Sequence, residues 1–359
     1  NLTLQPIFAD EAIYIRWAQV MRAEPSLRFL PLTDGKTPLF MWVMMPMFEF
    51  IQDPLFAGRV LSVLSGFFTL GGVFFLSKKV FNARTAFWAS LLYIAIPYTV
   101  FFDRMALVDS MLSAFTIWIL YFVIKLVGSP KFGISIMLGF VLGGAWLTKT
   151  PAYINIFLLP ISILGFQVKV KYDLLKLLFY WAIAVLIALI MYNLLRLSPS
   201  FHLLSGRNAD YMFSLTELSG RPLDPFIPHM KDLTDWFPKF LTWPILGVMG
   251  WGLWVMITAK NRLGWVVLLW AVIPILLLSA FLKTFTTRYI LFSIPILLVL
   301  AGYGMEKISS FKFLTSNRIL VLGVFLVVIG QSLYFDWQIL VKPQEAPIPK
   351  ESRKGYFEE

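Results

Sequence analysis

The chain has 359 residues, 58% of them hydrophobic and only 14% charged, with a mean hydropathy of +0.76. Soluble domains run nearer about 45–50% apolar and about 25% charged, so an ordinary water-soluble domain is excluded. The net charge of +11 is spread over loops between apolar runs, which points to headgroup anchoring and not to nucleic acid, and the lack of cysteine excludes disulfides, thiolate catalysis and cysteine zinc sites.

Residues 1–56 read as a first outer loop. Asp10-Glu11 stands at the head of a helical stretch, Glu11–Arg22, with Tyr14 on it. An aspartate there can cap free amides. Two adjacent carboxylates at a membrane edge also suit general-base work on a hydroxyl. Thr33-Asp34-Gly35-Lys36-Thr37-Pro38 is a turn signal that sets Lys36 against an apolar stretch. A lysine so placed can meet a lipid phosphate. Pro38–Ile51 is apolar but short and carries two prolines, so it reads as an interfacial or re-entrant helix.

A helix needs about 20 apolar residues to cross the hydrocarbon core. Such runs fall near Ala57–Ser77, Ala86–Phe102, Leu107–Val127, Gly133–Leu147, Ala152–Val168, Leu174–Leu195, Phe237–Ile257, Leu263–Leu282, Tyr289–Gly304 and Ile319–Phe335. The predicted class is therefore an all-α polytopic membrane protein of about ten transmembrane helices. Residues 57–197 and 237–335 hold the spans. They are divided by a long outer loop, 198–236, and 336–359 starts an outer tail or domain. Alternate connections carry Lys78, Lys79 and Arg84, then Lys125 and Lys131, Lys169, Lys171 and Lys176, Lys260 and Arg262, and Lys307, Lys312 and Arg318. By the positive-inside bias these are cytoplasmic, and the other connections are outer.

Several charges on the outer side sit in unusual places. Asp103-Arg104 precedes Asp109, which falls inside an apolar run. A carboxylate there costs roughly 3 kcal/mol unless it is paired or faces a cavity. A structural pair with Arg104 is the simplest alternative to a functional role. Lys149 sits in a tight corner, and Lys283 and Arg288-Tyr289 lie at the outer ends of later runs. Any one such cation can simply snorkel. Several on one face, against the topological bias, make an anion site. The long outer loop holds the two histidines, His202 and His229, among acidic residues. Their spacing matches no metal motif, so a divalent metal is left open but not assigned. No Walker A loop, GxGxxG or Asp-x-Asp is present.

These residues are similar, in order, to the GT-C glycosyltransferases that use polyprenyl-phosphate sugars, a group that includes protein mannosyltransferases and lipid A aminoarabinose transferases. Phe8-Ala9-Asp10-Glu11-Ala12-Ile13-Tyr14 resembles their Asp-Glu-x-x-Tyr opening. Gly35-Lys36-Thr37-Pro38-Leu39-Phe40-Met41-Trp42 resembles Lys-Pro-Pro-Leu-x-x-Trp. Ala57-Gly58-Arg59-Val60-Leu61-Ser62 resembles Ala-x-Arg-x-x-Ser, and Arg104–Asp109 resembles Arg-x-Ala-x-x-Asp. Leu147–Pro151 resembles Leu-Thr-Lys-Gly-Pro, and Arg288-Tyr289 resembles the Arg-Tyr before a late span. Thr37 departs from a frequent proline. Gly35 stands where the aminoarabinose enzymes tend to carry a metal-linked glutamate.

The resemblance implies a GT-C fold whose first helix would precede Asn1. It implies a polyprenyl-phosphate sugar as donor, a protein, lipid or glycan acceptor, and a site on the outer face of a membrane, most simply a prokaryotic plasma membrane. The expected catalytic residues are Asp10, Glu11 and Asp109. Lys36, Arg104, Lys149, Arg288 and Tyr289 are expected at the donor phosphate. Tyr14, Asp34, Asp103 and Arg59 are expected to orient sugar or acceptor. The rival readings are a transporter or flippase, which would need repeats and midplane polar residues, and a non-catalytic subunit of an envelope polysaccharide machine.

Overall fold

The computed structural model describes residues 2–166, 171–221, 223–310 and 318–357. Lys169 and Lys312, and the end of the predicted span at Val168, lie outside the described residues.

The first helix, α1 (Ala9–Ala23), begins at Phe8, whose amide donates to the Glu11 side chain at 3.1 Å. Acids in its first turn and Arg22 in its last suit the helix dipole. Glu11, Tyr14, Ile15, Ala18 and Met21 form its buried stripe, and it packs on α2 (Leu39–Met47) and α3 (Pro54–Val80). With nine residues α2 rises only about 14 Å, too little to cross a bilayer, and Pro46 sits inside it. In contrast α3 has 27 residues, capped by Asp53 with Pro54 at its first position.

The elements then follow the apolar runs. They are α4 (Ala83–Ala95), α5 (Pro97–Phe102), α6 (Val108–Gly128), α7 (Phe132–Thr148), a broken helical stretch Thr150–Gly165 containing α8 (Ile154–Leu158), and α9 (Lys171–Asn193). The predicted long loop folds into α10 (Leu203–Tyr211), α11 (Leu215–Gly220) and the amphipathic α12 (Phe226–Phe240). Next come α13 (Trp243–Thr258), α14 (Arg262–Phe281), a 3-10 turn Thr287–Ser293 and α15 (Ile294–Ser309). A last long helix Arg318–Val341 and a short C-terminal helix Lys350–Phe357 complete the chain.

Helices form at every predicted span, but length separates them. Among the described residues six are long and apolar enough to cross a membrane, or seven if α12 and α13, bent by 110° at their junction, count as one. The runs at Ala86–Phe102, Gly133–Leu147 and Ala152–Val168 fall short. Pro97 splits α4 from α5, α7 has only 17 residues, and Pro151 and Pro160 keep the Thr150–Gly165 stretch in short turns. The protein is an integral membrane helical bundle. Its central span is Thr287–Ser309, 94% buried where the other candidate spans are at most 61% buried.

That central span is reached closely by α13. A Cβ added at Gly252 would lie 2.2 Å from the Leu300 carbonyl oxygen, and one at Gly304 2.1 Å from that of Val248. Without a hydrophobic drive between helices in lipid, such backbone approach supplies the packing. Gly304→Val should therefore destabilise the bundle by about 1–3 kcal/mol through overpacking. Gly247→Ala, with open space at its Cβ, should not. Thermal unfolding of the detergent-solubilised chain checks this, and equal melting temperatures for the two variants would contradict it.

Candidate active site

Four distant segments converge at one end of the bundle. The first is the start of α1. Asp10 does not cap that helix; its carboxylate lies 2.6 Å from an Arg288 guanidinium nitrogen and 3.7 Å from Lys36 Nζ. The second is the turn before α2. Gly35 adopts φ +71, which suits glycine, and its amide donates to the Leu32 carbonyl at 3.1 Å. A Cβ there would also strike Arg207 of α10 at 2.3 Å. The turn thus delivers Lys36, whose ammonium bridges Asp34 at 3.3 Å and stands over the rings of Tyr14 and Trp17.

The third segment is the corner after α7, where extended backbone at Lys149 ends the helix. Lys149 Nζ donates to Asp109 at 2.6 Å and stands 4.2 Å above the Tyr289 ring. Asp109 lies in the first turn of α6, where the dipole favours an anion, and only 4% of its side chain is exposed. The fourth is the 3-10 turn that carries Arg288 and Tyr289. Arg288 lies over the rings of Phe8 and Tyr289.

These groups line one end of a cavity of about 660 Å³. Asp10, Tyr14, Lys36, Lys149, Arg288 and Tyr289 form its polar end. The rest of its lining is largely apolar and includes Ile154, Phe157 and Ile161 together with Ile273, Leu277 and Phe281 of α14. Burial alone would raise the Asp10 pKa. Arg288, Lys36 and Lys149 outweigh it and hold the carboxyl below its ordinary value. Asp10 is therefore ionised throughout the neutral range. The arrangement can take up a hydroxyl proton and can neutralise a phosphate attached to an apolar chain.

Other expected residues are placed elsewhere. Glu11 does not face the cavity. It is fully buried against Arg59, with Arg59 Nε and an Nη each 2.9 Å from its two oxygens, and it accepts the Ala106 amide at 2.7 Å. Arg59 is likewise away from the cavity and donates to the carbonyls of Leu2, Gln5 and Pro6. This pair pins the N-terminal segment and α1 to α3. Asp103 turns toward α3, accepts the Tyr93 hydroxyl at 2.6 Å and packs on Gly66. Arg104 is half-buried beside Arg59 and does not line the cavity. Asp109, by contrast, is bonded through its carboxylate to Lys149 at the cavity. His202 and His229 each sit 2.9 Å from a backbone carbonyl, of Pro199 and Ser279. Among the described residues no group of three or more potential ligands could hold a metal, so no ligand set is assigned. Sequence reasoning missed the apolar wall, Tyr153 and Tyr211. These residues carry no motif, and only packing brings them to the cavity.

Residues 35–195 match the family model described as dolichyl-phosphate-mannose-protein mannosyltransferase. Among solved structures the chain is similar to ArnT from Cupriavidus metallidurans bound to undecaprenyl phosphate. The identity is 21% and the TM-score 0.64, over 95% of this chain and 62% of that one. It is similar to apo ArnT of the same organism at 17% identity and a TM-score of 0.61, over 94% and 71%. It also resembles the oligosaccharyltransferase AglB from Archaeoglobus fulgidus in complex with an inhibitory peptide and a dolichol-phosphate, at 12% identity and a TM-score of 0.61, over 94% and 52%. No curated protein sequence matches. The polar-ended cavity thus sits in a bundle that follows these three structures across 94–95% of the chain, and the chain has the GT-C fold.

Proposed function

We propose that the protein transfers a monosaccharide, mannose or a related sugar, from a polyprenyl-phosphate carrier to a hydroxyl of a protein, lipid or glycan. The observation that carries this reading is the union of one ionised carboxylate with three cations at the polar end of an otherwise apolar cavity. The prenyl chain lies along the apolar wall of α8 and α14, and the phosphate meets Lys36, Lys149 and Arg288. Asp10 accepts the proton of the acceptor hydroxyl as its oxygen bonds to the anomeric carbon. The bond from that carbon to the phosphate oxygen breaks, and the polyprenyl phosphate leaves with its added charge against the three cations. A single displacement of this kind inverts the anomeric centre. Glu11 and Arg59 act through α1, whose place on α3 they hold, and Asp109 holds Lys149.

The family model at residues 35–195 and the lipid-phosphate complexes of ArnT and AglB support a lipid-linked donor. The prokaryotic origin of those structures supports a prokaryotic plasma membrane. The short connections at the opposite end, with Lys78, Lys79, Lys125, Lys131, Lys176 and Lys260, support an outer-facing reaction. The test is sugar transfer from a radiolabelled polyprenyl-phosphate mannose in membranes containing the full chain. No incorporation from this or from a panel of related lipid-linked sugars would defeat the reading.

Lys149→Met should raise the donor KM about 10–100-fold, the value of about one charge-assisted hydrogen bond. Lys149→Arg, which keeps the charge beside Asp109, should lose much less. Donor titration of the transfer rate decides, and an unchanged KM in the methionine variant would remove Lys149 from the phosphate site.

A further inference from the structure

The helix Lys350–Phe357 lies beyond the last long helix and takes no part in the reaction above. Yet it grips the residue before Arg288. Thr287 is fully buried, and each of its polar groups is held. Its carbonyl accepts the Tyr98 hydroxyl at 2.6 Å. Its amide and hydroxyl donate to Glu351 Oε2 at 3.4 and 3.2 Å, and the hydroxyl also meets Ser352 Oγ at 2.9 Å. The same helix packs Tyr356 on Phe8, with ring centroids 4.2 Å apart. Phe8 stands two residues before Asp10, and its ring lies 5.1 Å below the Arg288 guanidinium. One short helix therefore touches the chain next to both members of the Asp10–Arg288 pair.

That helix is itself tied down. The Lys350 amide donates to Asp235 of α12 at 3.2 Å, and the Arg353 guanidinium donates to the carbonyls of Gln344 and Ala346. Tyr356 also meets the edges of Phe101 and Phe102 at the end of α5. Arginine has many rotamers, so a fixed backbone is what lets its guanidinium wait at one point. A displacement of about 1 Å at such a group can cost about a hundredfold in a reaction that depends on alignment.

We infer that the C-terminal helix is the positioning element of the site, and that Glu351 is a positioning residue that sets the Thr287-Arg288 backbone so that Arg288 meets the donor phosphate. The inference rests on the lipid-linked-donor reading and adds to it a segment outside the residues that match the family model.

The test uses the full chain in detergent, with sugar-free undecaprenyl phosphate as binding probe and polyprenyl-phosphate mannose as donor. Glu351→Ala should weaken probe binding and lower kcat/KM for the donor about tenfold or more, while the melting temperature stays near that of the wild type. Glu351→Gln keeps an oxygen that can accept from Thr287 and should return both constants to within about threefold. Wild-type binding by the alanine variant, or equal damage from alanine and glutamine, overturns the inference. If Glu351→Ala does not fold, the paired variant Thr287→Val with Ser352→Ala removes the hydroxyl links alone. It should then weaken probe binding about threefold, and no change overturns the proposal. A wild-type chain that neither binds the probe nor transfers sugar removes the donor reading, and this inference with it. Normal wild-type binding with unaffected variants removes only the positioning role.

Discussion

Asp10→Asn should lower sugar transfer by about 10²–10⁴-fold, the usual loss when a positioned general base is removed. The same change should leave the affinity for undecaprenyl phosphate equal to or better than that of the wild type. Asp10 now lies 2.6 Å from Arg288 and 3.7 Å from Lys36, so it competes with a phosphate for both cations. Removing its charge releases them. A loss of transfer with retained binding separates a missing base from a collapsed site. A variant that keeps more than about a tenth of the wild-type rate would remove Asp10 from the mechanism.

The pH dependence follows from the same contacts. The carboxyl is held below its ordinary value of 3.8, against burial, by Arg288, Lys36 and Lys149. A depressed acid loses its ionised form only as pH falls through the lowered value. The acid limb of kcat/KM due to Asp10, which reports the ligand-free protein, should therefore lie below about pH 4, with no decline from this group between about pH 5 and 8. The stability contributed by its ion pairs follows the same sign: present above the unfolded value, lost as pH drops through the folded one.

Arg59→Leu should destabilise the protein by about 3–5 kcal/mol, because it leaves Glu11 buried without its counter-charge. Both side chains are fully buried, and Arg59 also holds the carbonyls of Leu2, Gln5 and Pro6. The loss should show as a lower melting temperature and a low yield of folded chain. Transfer per folded molecule should fall less. The double variant Glu11→Gln with Arg59→Met removes both charges and keeps an acceptor for the Ala106 amide, so it should recover part of the stability. A melting temperature like that of the wild type, with transfer abolished, would place Glu11 in the reaction itself and not in the frame.

The wrong neighbours are as informative as the right ones. Asp103-Arg104 and Asp109 sit together in sequence and read as one polar group. In the fold, α5 ends just before Asp103 and α6 begins at Val108, so Asp103 turns to Tyr93 while Asp109 meets Lys149, forty residues further on. Asp10 and Glu11 are adjacent, but successive residues on a helix point about 100° apart. One faces the cavity and the other faces α3. The C-terminal helix carries no motif at all, and its contact with Thr287 depends on where the last long helix happens to end.

The amino-acid sequence by itself determined the membrane class, the helical character and the position of nearly every apolar element. A bilayer forces this, since backbone groups in hydrocarbon must be satisfied within a helix and apolar length is then visible residue by residue. It also marked Asp10, Lys36, Lys149 and Arg288, because a charge at a membrane edge is costly and stands out against the apolar background. Only the tertiary structure decided which charge meets which, which prolines shorten a run, and that a short terminal helix reaches the site. Those are contacts between segments far apart in the chain. Close packing around Gly252, Gly304 and Gly35 sets their distances, and no local pattern encodes them.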